Sequence, residues 1–306
     1  MARPDSEVNP FINYHLELLF GASTALAFTF WQHLAVLERL SELSEWQLVQ
    51  PALWYEIREG RKICGLATTH LAAPAGAGVH AKRAQGGYLL QGKASWVCGF
   101  QIFDLLLIGF NVGESNIFAM INFPSPLVPD SMRNVSVEPL KMACLNGSGT
   151  VELTFEGLHV EDKNVICCRP KYNGEPATRP TQFIIPEIGI SKSVITRVEK
   201  IIENSFHPRH QLIGSCLADL KARVKRLEEL RAQSAELQQL IVLRDELNRD
   251  AIRILTLTLG AKSILSESHV PRLLTELLLF DSILQPPAAV ELKIKATARG
   301  SIVHAQ

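Results

Sequence analysis

The stretch Gly87-Tyr88-Leu89-Leu90-Gln91-Gly92-Lys93-Ala94-Ser95-Trp96-Val97-Cys98-Gly99 decides how the middle of the chain is read. It is a short run bounded by glycine and predicts a strand over Tyr88–Trp96. Gly86-Gly87 ahead of it is a turn signal, and Val79–Ala84 before that turn predicts another strand. The same grammar continues outward. Lys62–Thr69, Leu105–Phe110, Ile117–Ile121, Val135–Pro139, Thr150–Phe155 and Val165–Cys168 are strand-length runs between clusters of Gly, Pro, Asn and Asp. Asn146-Gly147 marks a further turn. So many short strands with no helix between them predict an antiparallel β-barrel or sandwich.

Helical spacing brackets this region on both sides. From Phe11 to Leu43 it places Phe30, Leu34, Leu37 and Leu40 on one stripe. Ser41 to Trp54 reads as a connection, with a helical turn before Pro51. After Pro186 and Gly189 come three helical segments, Ile190–Ser205, His210–Ser263 and Pro271–Leu284. The middle one breaks near Arg231–Ser234. Leu217, Leu220, Val224, Leu227 and Leu230 keep the three-four spacing of a packed bundle. Pro286-Pro287 ends the last helix, and Val290–Ile294 could add one more turn. The fold class is therefore α+β: N-terminal helices, a central β domain, then a C-terminal helical bundle. The boundaries are 1–55, 56–170 and 171–306.

Lys plus Arg and Asp plus Glu each number 31, for a net charge of +0. That balance gives no default attraction to nucleic acid or an anionic membrane. Asp5 and Glu7 stand where a secretory leader would carry basic residues. The apolar run Leu18–Trp31 falls short of the ~20 residues a bilayer span needs. The six cysteines form no CxxC pair, and Cys167-Cys168 suits neither a simple disulfide nor a metal site. Reduced thiols in a cytoplasmic protein are expected.

Ala75-Gly76-Ala77-Gly78 precedes a strand rather than a helix, so it reads as a loop and not a phosphate cradle. His207 and His210 lack a third ligand, and no metal is expected. Asn146-Gly147-Ser148-Gly149 lacks the context of a nucleophile elbow and reads as a turn.

The segment Gly87–Gly99 resembles the middle-domain signature of the acyl-CoA dehydrogenase superfamily. Asn146–Val160 is similar to that family's strand ending in an F-x-x-V phrase, with Glu161 where proline is common. Gly65–His70 looks like its first β strand, and Ala22–Leu40 like the helix before it. The resemblance implies a helical domain, a β domain and a four-helix bundle, with residues 1–55 standing where the family carries a fuller helical domain. It implies FAD as cofactor, held by Leu66, Thr68, Thr69, Trp96, Val97 and Cys98. Trp96 would pack against the flavin ring, and Cys98 replaces the usual Thr or Ser, a weaker side-chain donor. His70-Leu71 stands where the family has Glu-Pro.

By the same resemblance the activity is that of a FAD-dependent oxidoreductase acting on the CH–CH bond of an acyl thioester. The small-molecule substrate would be an acyl-CoA and the electron partner an electron-transfer flavoprotein. Thr275-Glu276 stands where the family has an Arg-Asp phrase, and its C-terminal glutamate base has no counterpart further on, between Ser282 and Ala289. Glu276 and Asp281 are the nearest acids. Arg209 and Arg223 are the candidates to replace a family arginine that holds the cofactor diphosphate. The altered C-terminus also resembles the flavin-dependent monooxygenase branch, served by a flavin reductase, where His70, His269 or Ser282 would assist. A non-enzymatic relative is the third reading. Homo-oligomers are expected.

Overall fold

The computed structural model describes residues 10–41, 43, 47–48, 50–72, 78–124, 133–171, 184–203, 209–233, 237–265 and 268–282. The chain divides into two compact units, one of residues 25–175 and one that joins residues 1–24 to 176–306.

The first unit is built on a sheet of eight strands: β1 (Cys64–Ala67), β2 (Val79–Ala84), β3 (Gly87–Val97), β4 (Leu105–Val112), β5 (Ser115–Asn122), β6 (Val135–Pro139), β7 (Val151–Glu161) and β8 (Val165–Pro170). The strand order is β6-β7-β3-β2-β4-β5-β8, with β1 pairing on β4. The expected run of strands is all present, but the sheet is mixed. β1 and β2 both pair parallel with β4, and among the described residues the sheet does not close into a barrel. Hairpins such as β2–β3 can be read locally, since Ala84 pairs with Gly87 across the two-residue turn Gln85–Gly86. The β1–β4 pairing joins segments about forty residues apart and carries no local turn signal.

β4 is buried on both faces through Phe110. Leu106, Ile108 and Phe110 enter one core with Leu90, Ala94, Val97, Leu153 and Phe155. Leu105 and Leu107 enter another with Cys64 and Met120. The second core includes Val36 and Leu40 of α2 (Thr24–Ser41) and Ile57 of α3 (Pro51–Arg58). Pro51 opens α3 at a position where its missing N–H costs nothing. Burial pushes the Cys64 thiol up to about 12, with Asp104 adding to the effect. The Cys64 N–H donates to His33 Nδ1 at 3.1 Å, and burial holds that imidazole below its ordinary value, hence neutral.

The second unit contains α1 (Pro10–Ala22), α4 (Ile185–Glu203), α5 (His210–Ala232), α6 (Leu237–Leu259) and α7 (Val270–Ser282). The helical spacing over Phe11–Leu43 takes the form of two helices, α1 and α2, separated at Ser23. On α5 the buried positions are Ile213, Leu217, Leu220, Val224, Leu227 and Leu230, a single apolar stripe. α4 is central and buried all round its first turns. Phe20 of α1 stacks edge-on to Phe280 of α7, with ring centroids 5.6 Å apart. Glu17 of α1, almost fully buried, receives Lys192 of α4 and Arg231 of α5, each at 2.6 Å. Residues 283–306, with the Pro286-Pro287 stop and the extra turn over Val290–Ile294, lie outside the described residues.

Candidate functional site: a strained corner at the end of β3

β3 does not alternate regularly to its end. Ala94 pairs with Leu153 and Val97 with Val151, so Ser95 and Trp96 together oppose the single residue Glu152. This β-bulge reverses the phase of the strand. Ala94 is buried and Val97 is buried, while Trp96 between them is 51% exposed. Trp96 also takes a φ of +63°, a left-handed conformation that costs a bulky residue roughly 1–2 kcal/mol. Gly99, Gln101, Leu145 and Gly149 share positive φ in the same corner. Its two loops are tied by the Gly99 N–H donating to the Ser148 carbonyl (2.8 Å) and the Phe100 N–H to the Gly149 carbonyl (3.0 Å). Strained backbone of this kind persists where the surroundings over-determine it, and it clusters at ligand sites.

Three small polar side chains line the buried side of the corner. Cys98 Sγ and Thr150 Oγ1 are 3.2 Å apart, and Ser148 and Thr150 share a hydroxyl hydrogen bond of 2.7 Å. Burial pushes the Cys98 thiol up, against the pull of its Thr150 and Ser148 contacts. The thiol is thus neutral and committed inward.

β1 and the turn after it lie against β3. The approach is close because residue 65 is glycine: a Cβ there would fall 2.6 Å from the Phe103 ring and 3.3 Å from the Cys98 carbonyl. Thr68 follows β1 half-buried, and Thr69 opens the 3-10 turn Thr69–Ala72 exposed. Leu66 packs into the core beneath α2 and α3. Of the six sequence-assigned residues, Trp96, Thr68 and Thr69 offer accessible side chains. Leu66, Val97 and Cys98 turn theirs inward, leaving main chain to meet a ligand.

His70 closes the turn. Its Nε2 meets the Gly109 carbonyl of β4 at 2.8 Å. Burial outweighs that bond and holds the imidazole below its ordinary value. The neutral ring therefore donates from Nε2, and among the described residues its buried Nδ1 has no hydrogen-bond partner.

The remaining candidates fall in the helical unit. Glu276 is buried, and its Oε2 accepts the Thr24 hydroxyl at 2.7 Å. Arg272 Nε lies 3.6 Å from its Oε1. Burial raises the Glu276 carboxyl above its ordinary range, against Thr24, Arg272 and Arg197. The folded bundle holds this proton to higher pH than the unfolded chain does. That contribution is complete below the unfolded value, about 4.3, and is lost as pH rises through the folded one. Glu276→Gln keeps the neutral form and is expected to flatten this fall. Urea unfolding of both proteins across the window checks it, and parallel pH profiles would reject it.

Arg223 is held between Asp219 and Asp250, at 2.5 and 2.7 Å. Arg209 precedes α5 as its N-cap residue. His269 is exposed, at a φ of +64°, with burial and then Arg197 and Arg272 lowering its pKa. The side chains of Asp281 and Ser282, His207, and the loop at Ala75–Ala77 lie outside the described residues. Among the described residues no His, Cys, Asp or Glu cluster could hold a metal, and no helix is long and apolar enough to cross a membrane. Sequence reasoning missed Glu152 and Ser95. Glu152 sits in the Thr-Val-Glu-Leu run where its charge breaks an apolar strand, which was the available signal.

The α+β chain has the fold of the acyl-CoA dehydrogenases, as the resemblance implied. Butyryl-CoA dehydrogenase from Megasphaera elsdenii is similar at a TM-score of 0.72 and 13% identity, covering 94% of this chain and 81% of that one. A nitrososynthase from Micromonospora carbonacea var. africana is similar at 0.70 and 16% identity, covering 94% and 81%. The FAD complex of PigA is similar at 0.71 and 16%, covering 94% and 82%. No protein-family model matches the sequence, and no curated protein matches it.

Proposed function

We propose that this chain is a FAD-dependent oxidoreductase of the acyl-CoA dehydrogenase type, acting on the CH–CH bond of an acyl thioester. The observation that carries the reading is Trp96, a large aromatic held half-exposed at a strained bulge. A bare strand would have buried it. The corner fits a flavin: an aromatic face, the Thr68 and Thr69 hydroxyls, and the main chain of Leu66, Val97 and Cys98 brought close by Gly65. Bound there, the flavin would supply the hydride acceptor. The chain's own residues would stack on the ring, donate to its polar edge and exclude water. The similarity to an FAD-bound structure and to an acyl-CoA dehydrogenase supports the same reading.

The second reading is the flavin-dependent monooxygenase branch, fed by a flavin reductase rather than drained by an electron-transfer flavoprotein. It is favoured by Cys98, whose side chain is committed to Thr150, and by Glu276, whose carboxyl is committed to Thr24. Glu276 then does not stand free as the base that oxidation of an acyl CH–CH bond requires. Homo-oligomerisation belongs to both readings. It would cover apolar side chains such as Leu274 and Leu278, 46% and 59% exposed on α7.

The purified chain is expected to retain added FAD, seen as a flavin absorption spectrum after desalting. Anaerobic acyl-CoA should bleach it. Bleaching only by a reductase with NAD(P)H, followed by reaction with oxygen, selects the second reading. A colourless protein overturns both. Trp96→Ala is expected to cost ~1–2 kcal/mol of binding, about tenfold in Kd. An unchanged fluorescence titration would remove Trp96 from the site.

A further inference from the structure

We propose that Glu152 is the positioning residue of this corner, the lock that keeps the Ser95–Trp96 bulge in place and the Trp96 indole out of the core. The proposal deepens the flavin reading and rests on it only for the ligand.

The argument begins with strand phase. Leu90 and Ala94 point into the core on the even positions of β3. Continued regularly, that alternation would bury Trp96 and expose Val97. The bulge inverts this, and Val97 takes the core position. An inverted phase needs something to hold it, because a one-residue slip would return the strand to regular pairing.

Glu152 is the single residue opposite the bulge, and its carboxylate is divided between both parts of β3. One oxygen receives Lys93 Nζ at 2.5 Å, from the regular ladder before the bulge. The other receives Ser95 Oγ at 2.6 Å, from within the bulge. Regular strand and bulge are thereby fastened to one point. The Lys93 bond, and then the Ser95 bond, hold the carboxyl below its ordinary range, so it is ionised at neutral pH. A charged acceptor makes both bonds stronger than neutral ones. Ser95 and Trp96 are adjacent, so holding the first within the bulge favours the left-handed φ of the second.

The test uses the full chain labelled with 5-fluorotryptophan. The protein has four tryptophans, and Trp96→Phe assigns the Trp96 fluorine resonance. Glu152→Ala is expected to shift and broaden that resonance while the others hold. It should also weaken FAD binding by about tenfold, as losing Trp96 itself would. Ser95→Ala, a milder change should Glu152→Ala fold poorly, is expected to move the same resonance. Glu152→Gln keeps an acceptor for Ser95 and should restore both the resonance and most of the affinity. A Trp96 resonance at its wild-type position in Glu152→Ala or Ser95→Ala overturns the lock. Wild-type protein that retains no FAD sinks the flavin reading instead, while the fluorine spectrum still decides the role of Glu152.

Discussion

Gly99→Ala is expected to lower stability by ~2–5 kcal/mol and to abolish flavin retention. Gly99 has a φ of +87°, and an alanine there pays roughly 1–2 kcal/mol for the left-handed backbone alone. Its Cβ would also lie 1.9 Å from Phe103 Cδ2. Phe103 is buried in the β core with Val97 and Phe123, so it cannot yield without moving neighbours, and overpacking of this kind costs about 1–3 kcal/mol. Rotating residue 99 to negative φ is no escape. Its N–H donates to Ser148 and its carbonyl accepts from Phe103, and both bonds would break. Gly113→Ala is the control, since its φ is +56° with nothing among the described residues within 4 Å of the added Cβ. Only the backbone term remains there. Thermal and urea unfolding of the two variants separate the terms, and equal losses would show that Phe103 accommodates the methyl group.

Glu187→Ala is expected to destabilise the helical unit by ~3–5 kcal/mol, the usual cost of leaving one half of a buried ion pair. Arg244 is 1% exposed and Glu187 is fully buried. Arg244 Nε lies 3.2 Å from Glu187 Oε1, so α4 and α6 meet through opposite charges. Asp245, at 2.6 Å on the same helix, retains part of the compensation and places the loss nearer the lower figure. Replacing both partners by apolar groups of similar size, Glu187→Leu with Arg244→Met, is expected to recover most of it. The charged pair has already spent its attraction on desolvation. Urea unfolding of the single and double variants checks this. A double variant no more stable than the single one would show that the pair contributes more than it costs.

The two variants probe different levels of what could be read. The apolar stripe on α5 and the strand run from Val79 to Cys168 follow from periodicity, which is local. So does the β2–β3 hairpin, whose turn carries its own glycine. The order of helices, sheet and bundle was therefore visible before any contact was known. The break at Ser23 carried only a weak local signal, Gly21 and the cap-type residues Ser23-Thr24, while the apolar spacing runs through it. The candidate site was half visible. Trp96 and the segment after β1 stand out in Gly65–His70 and Gly87–Gly99, but which side chains face outward does not.

What the sequence determined by itself was thus the type and order of elements, since 3.6- and 2-residue periods are properties of neighbours along the chain. What only the tertiary structure decided was pairing and phase. β1 and β2 run parallel to β4, a choice made by burying both faces of Leu105–Phe110 rather than by any turn. The Ser95–Trp96 bulge sits opposite Glu152, on a strand more than fifty residues away, which accepts both Lys93 and Ser95. Alternation read along β3 alone buries Trp96. Only the opposing strand, by supplying one residue against two, turns the indole outward.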